Sequence, residues 1–289
     1  MSVIRLGAVG YLNARPLVFG LEGSPRFELR FDVPSRCATL LHGGGIDLGL
    51  IPSIEYLRGP SEDGGRSETG YRIVPGLAIA SRGPVASVIL YTTRPIEDVR
   101  SIAMDTSSRT SVALARVICM RAFGIQPEIH AHHPDLEAML AETDAALIIG
   151  DNALFLDPAA VRLKPNPTTV WRKPDSGHIE SIDLGEVWTR MTGLPFVYAF
   201  WAGRNGVLDA GGVAELQQAR DEGVQRTEQI VTDYFSDVPD RHALGVRYLQ
   251  DNIKYDLGPD ERAGLELFYQ YAAEAGLVES RAPLRFFSS

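Results

Sequence analysis

A turn rich in hydroxyl side chains is the strongest candidate for a binding site in this sequence. Residues 105–111 read Asp-Thr-Ser-Ser-Arg-Thr-Ser, after an apolar run and before a helical pattern. A helix that begins in such a turn presents free backbone N–H groups and the positive end of its dipole. Thr106, Ser107, Ser108 and Thr110 add hydroxyl donors. We therefore predict that this turn binds a carboxylate; the alternative is that Ser107 or Ser108 is only an N-cap.

Further candidates follow the other predicted strands, because ligands of open parallel sheets bind beyond the carboxyl ends of strands. The side chains and backbone at these ends are Tyr11, Asn13, Arg15, Ser53, Ser81, Gly150 and Asp151. Asn13 either contacts a ligand or caps a helix, and Arg15 either pairs with a charge or remains solvated. Glu55 and Tyr56 are expected to anchor a short helix.

The strand FVYAFWAG (196–203) carries aromatic side chains that could line a cleft. Alternate side chains of a strand face opposite ways, so Phe196 and Tyr198 share a face. Tyr198 is therefore a candidate for substrate contact, and core packing is the alternative for both rings.

No motif of the sequence predicts a cofactor or a metal. His130 and His132 point the same way in a predicted strand, but no Cys or carboxylate stands at characteristic ligand spacing. The chain contains no phosphate-binding P-loop, dinucleotide fingerprint or nucleophile elbow. We expect neither a metal site nor a bound cofactor.

Alternating strand and helix patterns must position these candidates, and they predict an α/β fold. The predicted strands are 3–9, 27–33, 46–51, 76–81, 85–92, 101–105, 127–133, 144–151 and 196–203. Helical patterns lie between them and fill roughly 211–275, whereas 59–71 and 157–176 are predicted to be irregular. We place crossovers between two units near 82–84 and along 196–203.

Two α/β units joined twice resemble class II periplasmic-binding-protein-like folds. We expect lobe 1 to comprise residues 1–88 plus 200–289, and lobe 2 to comprise 89–199. Each lobe would be a mainly parallel sheet flanked by helices, with the ligand in the cleft between the lobes.

Composition and charge exclude several classes of protein. The chain has 289 residues, 28 Lys and Arg against 37 Asp and Glu, and a net charge of −9. An acidic surface without a basic run argues against nucleic acid as a partner. The N-terminus lacks the features of a signal peptide, and no apolar run approaches the roughly 18 residues of a membrane span.

These observations predict a cytoplasmic protein that has no membrane partner. Cys37 and Cys119 are then expected to be buried, reduced thiols. Whether the chain is a monomer or a homodimer stays open.

Several motifs together resemble the chorismate dehydratase family of the futalosine route to menaquinone. They are GAVGYLNARPL (7–17), DLGLIPSIEY (47–56), ASRGPVASV (80–88), DTSSRTS (105–111), LIIGD (147–151) and DLGEVWTRMTGLPFVYAFW (183–201). The resemblance runs in order from about residue 3 to residue 203, and the segments 59–71 and 157–176 lie outside it.

This resemblance implies that the substrate is chorismate and the product 3-[(1-carboxyvinyl)oxy]benzoate, formed by loss of water without a cofactor. The turn with Ser107, Ser108 and Thr110 would then hold a substrate carboxylate. Asn13 would orient the leaving hydroxyl or the enolpyruvyl group, and Ser81 would add a contact. The proton acceptor is either Asp151 or the enolpyruvyl carboxylate of the substrate itself.

Two other functions share this fold. A small-anion solute-binding protein would bind without turnover and would need a secretion signal. The ligand-sensing domain of a transcription regulator would need a DNA-binding helix-turn-helix, for which the sequence offers no basic recognition helix.

Overall fold

The computed structural model describes residues 3–59, 70–161, 179–279 and 282–288. Most of the predicted irregular segments 59–71 and 157–176 lies outside these residues. The described part contains two β-sheets, each flanked by helices, in agreement with the α/β prediction.

Eleven strands are present in the described ranges. They are β1 (Ile4–Val9), β2 (Phe27–Asp32), β3 (Leu48–Pro52), β4 (Tyr71–Ile73), β5 (Ile79–Ser81), β6 (Val88–Thr92), β7 (Ser101–Asp105), β8 (Glu128–His132), β9 (Ala145–Ile149), β10 (Glu180–Asp183) and β11 (Phe196–Arg204).

The α-helices follow the predicted pattern between and after the strands. They are α1 (Pro34–His42), α2 (Arg109–Arg121), α3 (Leu136–Glu142), α4 (Asp151–Leu154), α5 (Leu184–Thr192), α6 (Ala210–Gln225), α7 (Thr227–Tyr234), α8 (His242–Arg247) and α9 (Pro259–Glu274). Shorter helical turns that bear on the cleft are the 3₁₀ helices Leu12–Val18 and Ser53–Arg58 and the π-turn Tyr248–Asn252.

The strand order places one sheet in each lobe. The first sheet runs β2-β1-β3-β11-β4, with β5 also paired to β11, and the second runs β10-β6-β9-β7-β8. Strands β1, β2 and β3 are parallel to one another, as are β7, β8 and β9, so helix N-termini gather at their carboxyl ends.

Both sheets are mixed rather than mainly parallel, which corrects one detail of the predicted fold. Strand β11 is antiparallel to β3, β4 and β5, and β6 is antiparallel to β9 and β10. The antiparallel strands are those that flank the connections between the lobes. A chain that leaves one sheet and later returns to it need not keep the direction set by successive strand-helix-strand units.

The first crossover falls where it was predicted, between β5 in the first sheet and β6 in the second. The return differs, because all of β11 belongs to the first sheet and Phe196 pairs with Ser81. The chain therefore returns between Asp183 and Phe196, along α5, rather than along 196–203. The lobe boundaries 1–88 plus 200–289 and 89–199 stay a prediction, and this pairing favours counting residues 196–199 with lobe 1.

The buried strands of the core are those that the hydrophobic patterning predicts. Strands β3, β6 and β9 are buried along their whole length. Both cysteines are buried and free, which confirms the prediction of reduced thiols. Within the described residues no helix is long and apolar enough to cross a membrane.

Candidate functional site

The cleft between the two sheets holds a small cavity of about 40 Å³. Its polar lining consists of six side chains: Tyr11, Asn13, Ser87, Ser108, Ser111 and Tyr198. Its remaining walls are apolar or backbone: Val9, Pro34, Pro52, Ile79, Val85, Val88, Ile149, Gly150 and Ala199. Among the described residues that line it, none carries a charge. An anion here depends on hydroxyls, amides and helix N-termini.

The hydroxyl-rich turn forms the N-terminus of α2, as predicted. Ser108 is its N-cap, and the Ser108 Oγ accepts hydrogen bonds from the Ser111 backbone N–H at 3.4 Å and from the Ser111 hydroxyl at 3.0 Å. The capping alternative is therefore confirmed for Ser108. Both serines also line the cavity, so the Ser108 hydroxyl proton is available to a ligand while its oxygen caps the helix.

Asn13 does not cap a helix, so the capping alternative for this residue is wrong. The 3₁₀ helix Leu12–Val18 follows Tyr11, which makes no side-chain cap bond. The Asn13 amide Nδ2 donates to the Tyr248 hydroxyl at 3.0 Å, and Tyr248 donates to Ser87 Oγ at 2.7 Å.

These two hydrogen bonds determine which atoms of the cavity wall can still donate or accept. The Asn13 Oδ1 is buried without a partner among the described residues, so it is a free acceptor. The Ser87 hydroxyl accepts from Tyr248 and keeps its own proton for a ligand. Burial raises the pKa of Tyr248, so its phenol stays protonated and keeps both bonds in place.

Tyr11 and Gly150 form a tight contact across the cleft. The hydroxyls of Tyr11 and Ser107 hydrogen-bond at 3.1 Å, which joins lobe 1 to the α2 turn. Gly150 has φ +63°, and a Cβ there would lie 2.9 Å from Tyr11 Cε2. Only glycine allows both the backbone conformation and the approach of the ring.

Tyr198 lines the cavity, and Ser81 lies behind it. Their hydroxyls hydrogen-bond at 3.0 Å. Phe196 shares the face of Tyr198, with ring centroids 4.8 Å apart, but it packs in the core against Trp188 and Phe268. Tyr198 therefore lines the cleft, whereas Phe196 follows the core-packing alternative.

Four other predicted contacts, Ser53, Thr106, Ser107 and Thr110, lie outside the cavity lining. Thr110 Oγ1 accepts from the Ile54 backbone N–H at 3.1 Å and lies 3.4 Å from Ser53 Oγ, so Ser53 and Thr110 join the lobes instead. Thr106 lines a separate surface groove with Arg116.

Arg15 is likewise absent from the cavity lining. Its guanidinium lies over the rings of Phe31 and Tyr234, at 4.2 and 5.0 Å from their centroids. Neither of its predicted alternatives describes this stacked position, which the sequence spacing does not reveal.

Asp151 lies partly buried and is not part of the cavity lining. Its carboxylate accepts from the Leu12 backbone N–H at 3.2 Å and from the Tyr234 hydroxyl at 2.5 Å. Burial raises the pKa of Asp151, and the bonds from Tyr234 and Leu12 oppose that rise. Both donors come from lobe 1, so this carboxylate fastens the lobes together.

Glu55 anchors the same side of the cleft through charge. Its carboxylate contacts Arg109 at 2.6 Å, Arg58 at 2.6 Å and His42 at 3.1 Å. Burial alone would raise the pKa of Glu55, but the hydrogen bond from His42 and the two arginines lower it to about 2. Because Arg109 begins α2, this ion pair ties the hydroxyl-rich turn to lobe 1.

Sequence reasoning missed three residues of the site: Ser87, Ser111 and Tyr248. Ser87 lies at the first crossover and Ser111 in the first turn of α2, and both line the cavity. Both belong to motifs of the sequence, ASRGPVASV (80–88) and DTSSRTS (105–111), but neither was predicted as a contact. Tyr248 belongs to a π-turn some 160 residues beyond Ser87, and no local pattern marks its approach.

The histidines of the HAHH run do not form a metal centre. The exposed His130 lies 3.6 Å from Glu128, and the half-buried His132 lies 4.0 Å from Glu142. Over the described ranges, no group of three His, Cys, Asp or Glu side chains is arranged to hold a metal ion.

Comparisons with known proteins agree with this architecture. A family model described as menaquinone biosynthesis matches residues 4–274. Chorismate dehydratase of Thermus thermophilus is 31% identical over 271 residues, which cover 91% of this chain and 93% of the relative.

Solved structures confirm the predicted periplasmic-binding-protein-like fold. A crystal structure of an Archaeoglobus fulgidus protein has a TM-score of 0.69 at 17% identity, covering 95% of this chain and 98% of its own. The periplasmic aliphatic sulphonate binding protein SsuA of Escherichia coli has a TM-score of 0.61 at 15% identity, covering 100% of this chain and 95% of its own.

Proposed function

Because this chain belongs to the menaquinone biosynthesis family, we propose that it is a chorismate dehydratase, a carbon-oxygen lyase that removes water from chorismate. The product is 3-[(1-carboxyvinyl)oxy]benzoate, and the reaction serves the futalosine route to menaquinone. The observation that carries the proposal is the similarity to a chorismate dehydratase along nearly the whole chain. We place the enzyme in the cytoplasm, with a small molecule as its partner.

The α2 N-terminus is the proposed site for one carboxylate of chorismate. Ser108 and Ser111 line the cavity there, and the 13-residue helix directs its positive end toward it. A helix N-terminus binds an anion without a net positive charge on the protein. This accounts for a dianionic substrate in a cavity whose described lining has no cation.

Asn13 and Ser87 are the proposed contacts to the reacting part of the substrate. The free Asn13 Oδ1 accepts a hydrogen bond from the C4 hydroxyl and orients it. The Ser87 hydroxyl donates to an oxygen of the substrate, because it accepts from Tyr248 and its own proton is left for a ligand. Tyr11 and the apolar walls hold the ring against these two groups.

The elimination itself is redox-neutral. The C3–H bond breaks toward a base, its electron pair forms the last double bond of the aromatic ring, and the C4–O bond breaks. The proton and the hydroxyl leave together as water. Aromatisation drives the reaction, so the protein contributes positioning and charge stabilisation.

The proton acceptor is either Asp151 or the enolpyruvyl carboxylate of the substrate. The position of Asp151 favours the substrate carboxylate. Both Asp151 oxygens accept hydrogen bonds from lobe 1. To reach the C3 proton, Asp151 would have to break its hydrogen bonds to Tyr234 and Leu12. Because those bonds join the two lobes, the cleft would then open.

Turnover of chorismate by the purified protein tests the proposal. Formation of the aromatic product is followed by ultraviolet absorption without added cofactor. Asn13→Ala and Ser108→Ala should each reduce kcat/KM at least about tenfold, which corresponds to one hydrogen bond of about 1.4 kcal/mol in the transition state. Asn205→Ala and Ser236→Ala, both at exposed positions, are the matched controls.

Two results would contradict parts of this proposal. Wild-type rates in both cleft variants would reject the roles given to Asn13 and Ser108. Binding of chorismate or another small anion without turnover would instead support the solute-binding alternative, which shares this fold.

A further inference from the structure

The two connections between the lobes meet at one partly buried carboxylate, that of Asp183. This residue ends β10 and is the N-cap of α5, so its Oδ1 accepts from the backbone N–H groups of Gly185 at 2.9 Å and Glu186 at 3.0 Å. The same carboxylate reaches the other connection, where it accepts from the N–H of Val85 at 3.1 Å and of Ala86 at 2.7 Å.

The bond to Ala86 is more than the cap requires. The cap bonds and the Val85 bond all use Oδ1, whereas Oδ2 accepts from Ala86 alone. An N-cap needs one oxygen. The second oxygen therefore serves the first crossover rather than the helix.

Ala86 is held in a conformation that alanine rarely adopts. Its φ is +61°, and it is the one non-glycine residue with positive φ in the part of the chain that the structure describes. Such a conformation is unfavourable for an L-residue and persists only where the surroundings hold it. The shortest bond that holds it is the one to Asp183 Oδ2.

The residue that follows this strained position is Ser87, which lines the cavity. Its carbonyl accepts from the Gly150 backbone N–H at 2.8 Å, and its Oγ accepts from Tyr248. A change of φ at Ala86 would turn the next peptide, moving the Ser87 carbonyl away from Gly150 and the Ser87 hydroxyl away from Tyr248.

We propose that Asp183 is a positioning residue for the dehydration: by holding Ala86 at positive φ, it aims the Ser87 hydroxyl into the cleft. The inference rests on the proposed function, because turnover is its principal readout. It assigns no contact between Asp183 and the substrate.

Asp183→Asn is the first test because it separates the two oxygens. The Asn Oδ1 can retain the three Oδ1 bonds, while its Nδ2 places a donor against the N–H of Ala86. We expect kcat/KM for chorismate to fall at least about fivefold, measured at a temperature where the variant is fully folded. Asp135→Asn, which alters the exposed N-cap of α3, is the matched control and should retain wild-type kinetics.

Rescue distinguishes positioning from a loss of stability. Glycine adopts positive φ without being held there, so Ala86→Gly in the Asp183→Asn background should recover at least about threefold of the lost kcat/KM. Ala86→Val is the complementary variant, since a β-branched residue strongly disfavours positive φ. It leaves Asp183 intact and should lower kcat/KM at least as much.

Each outcome decides the proposal. Loss of kcat/KM in Asp183→Asn with rescue by Ala86→Gly supports it. Normal kinetics with a lower Tm, loss without rescue, or an active Ala86→Val would overturn it. Should Asp183→Asn not fold, Ala86→Val alone decides by the same criterion.

An inactive wild-type protein would refute the proposed function separately. A crystal structure of Asp183→Asn then decides the structural part. A negative φ at Ala86 with Ser87 turned out of the cleft supports the positioning role, and an unchanged φ overturns it.

Discussion

Gly150→Ala is expected to damage the cleft in two separable ways. The first is backbone strain, because Gly150 has φ +63° and ψ −146°, a region that is almost restricted to glycine. Such a residue costs on the order of 1–3 kcal/mol when it carries a side chain. The second is a clash, since the new Cβ would lie 2.9–3.0 Å from three atoms of the Tyr11 ring.

The clash adds to the cost of strain through Tyr11. To make room, the ring must shift and lengthen its 3.1 Å hydrogen bond to Ser107. Loss of one such bond costs about 0.5–1.5 kcal/mol. The protein should therefore lose roughly 1.5–4.5 kcal/mol in total, the sum of the two ranges.

Urea denaturation and chorismate kinetics measure the two parts. The midpoint of unfolding should fall, and kcat/KM should fall with it because Tyr11 lines the cavity. Gly124→Ala is the matched control: Gly124 has φ +67° with no atom within 4 Å of its would-be Cβ. That control places a side chain at positive φ without the clash, so its kinetics should remain those of the wild type.

A double variant tests the reasoning further. Tyr11→Ala removes the ring, so adding Gly150→Ala to it should cost only the strain, and the two effects should be less than additive. The reasoning is refuted if Gly150→Ala alone unfolds at the wild-type urea concentration and turns over chorismate normally. Strict additivity in the double variant would refute the clash while leaving the strain in place.

Two further predictions follow from buried titratable groups. Glu55→Gln should destabilise the protein by roughly 1.5–3 kcal/mol at pH 7, because the buried carboxylate loses its charge-assisted bonds to Arg109, Arg58 and His42. The pKa of Glu55 is lowered from 4.5 to about 2. The stabilisation that the Glu55 carboxylate provides is therefore complete above about pH 4.5 and is lost as the pH falls toward 2. Urea denaturation of the wild type and of Glu55→Gln should give converging stabilities over that range. Burial raises the pKa of Cys37 and of Cys119 to about 12, so iodoacetamide should label neither thiol in the folded protein at pH 7.5 and both in urea, as mass spectrometry will show. Rapid labelling of the native protein would contradict the burial of these thiols.

Local patterns predicted most of the elements, because they depend on nearest neighbours in the chain. The Ser108 cap of α2 and the Gly193 end of α5 follow from residue types at the helix termini. The rule that ligands bind at the carboxyl ends of strands located Tyr11, Asn13, Ser108 and the cavity itself.

What the sequence did not predict depends on contacts between distant segments. Thr110 and Ser108 are two residues apart in one turn, yet a helix directs them to different sides, one to Ile54 and the other to the cavity. Asp151 follows a strand as a catalytic carboxylate often does, but Tyr234 comes from a helix some 80 residues later and occupies it. Periodicity within a segment carries no information about such partners.

The place of β11 in the first sheet has a consequence for synthesis on the ribosome. All described strands of the second sheet lie between Val88 and Asp183, so these strands are complete in the nascent chain before β11 emerges. The first sheet stays divided until then, because β11 joins β3 to β4 and β5. Domains generally fold as units during translation. Lobe 2 should therefore fold before lobe 1, and lobe 1 should then pack against it. Since Tyr248 emerges later still, the hydrogen bonds of Asn13 and Ser87 are the last part of the cleft to form.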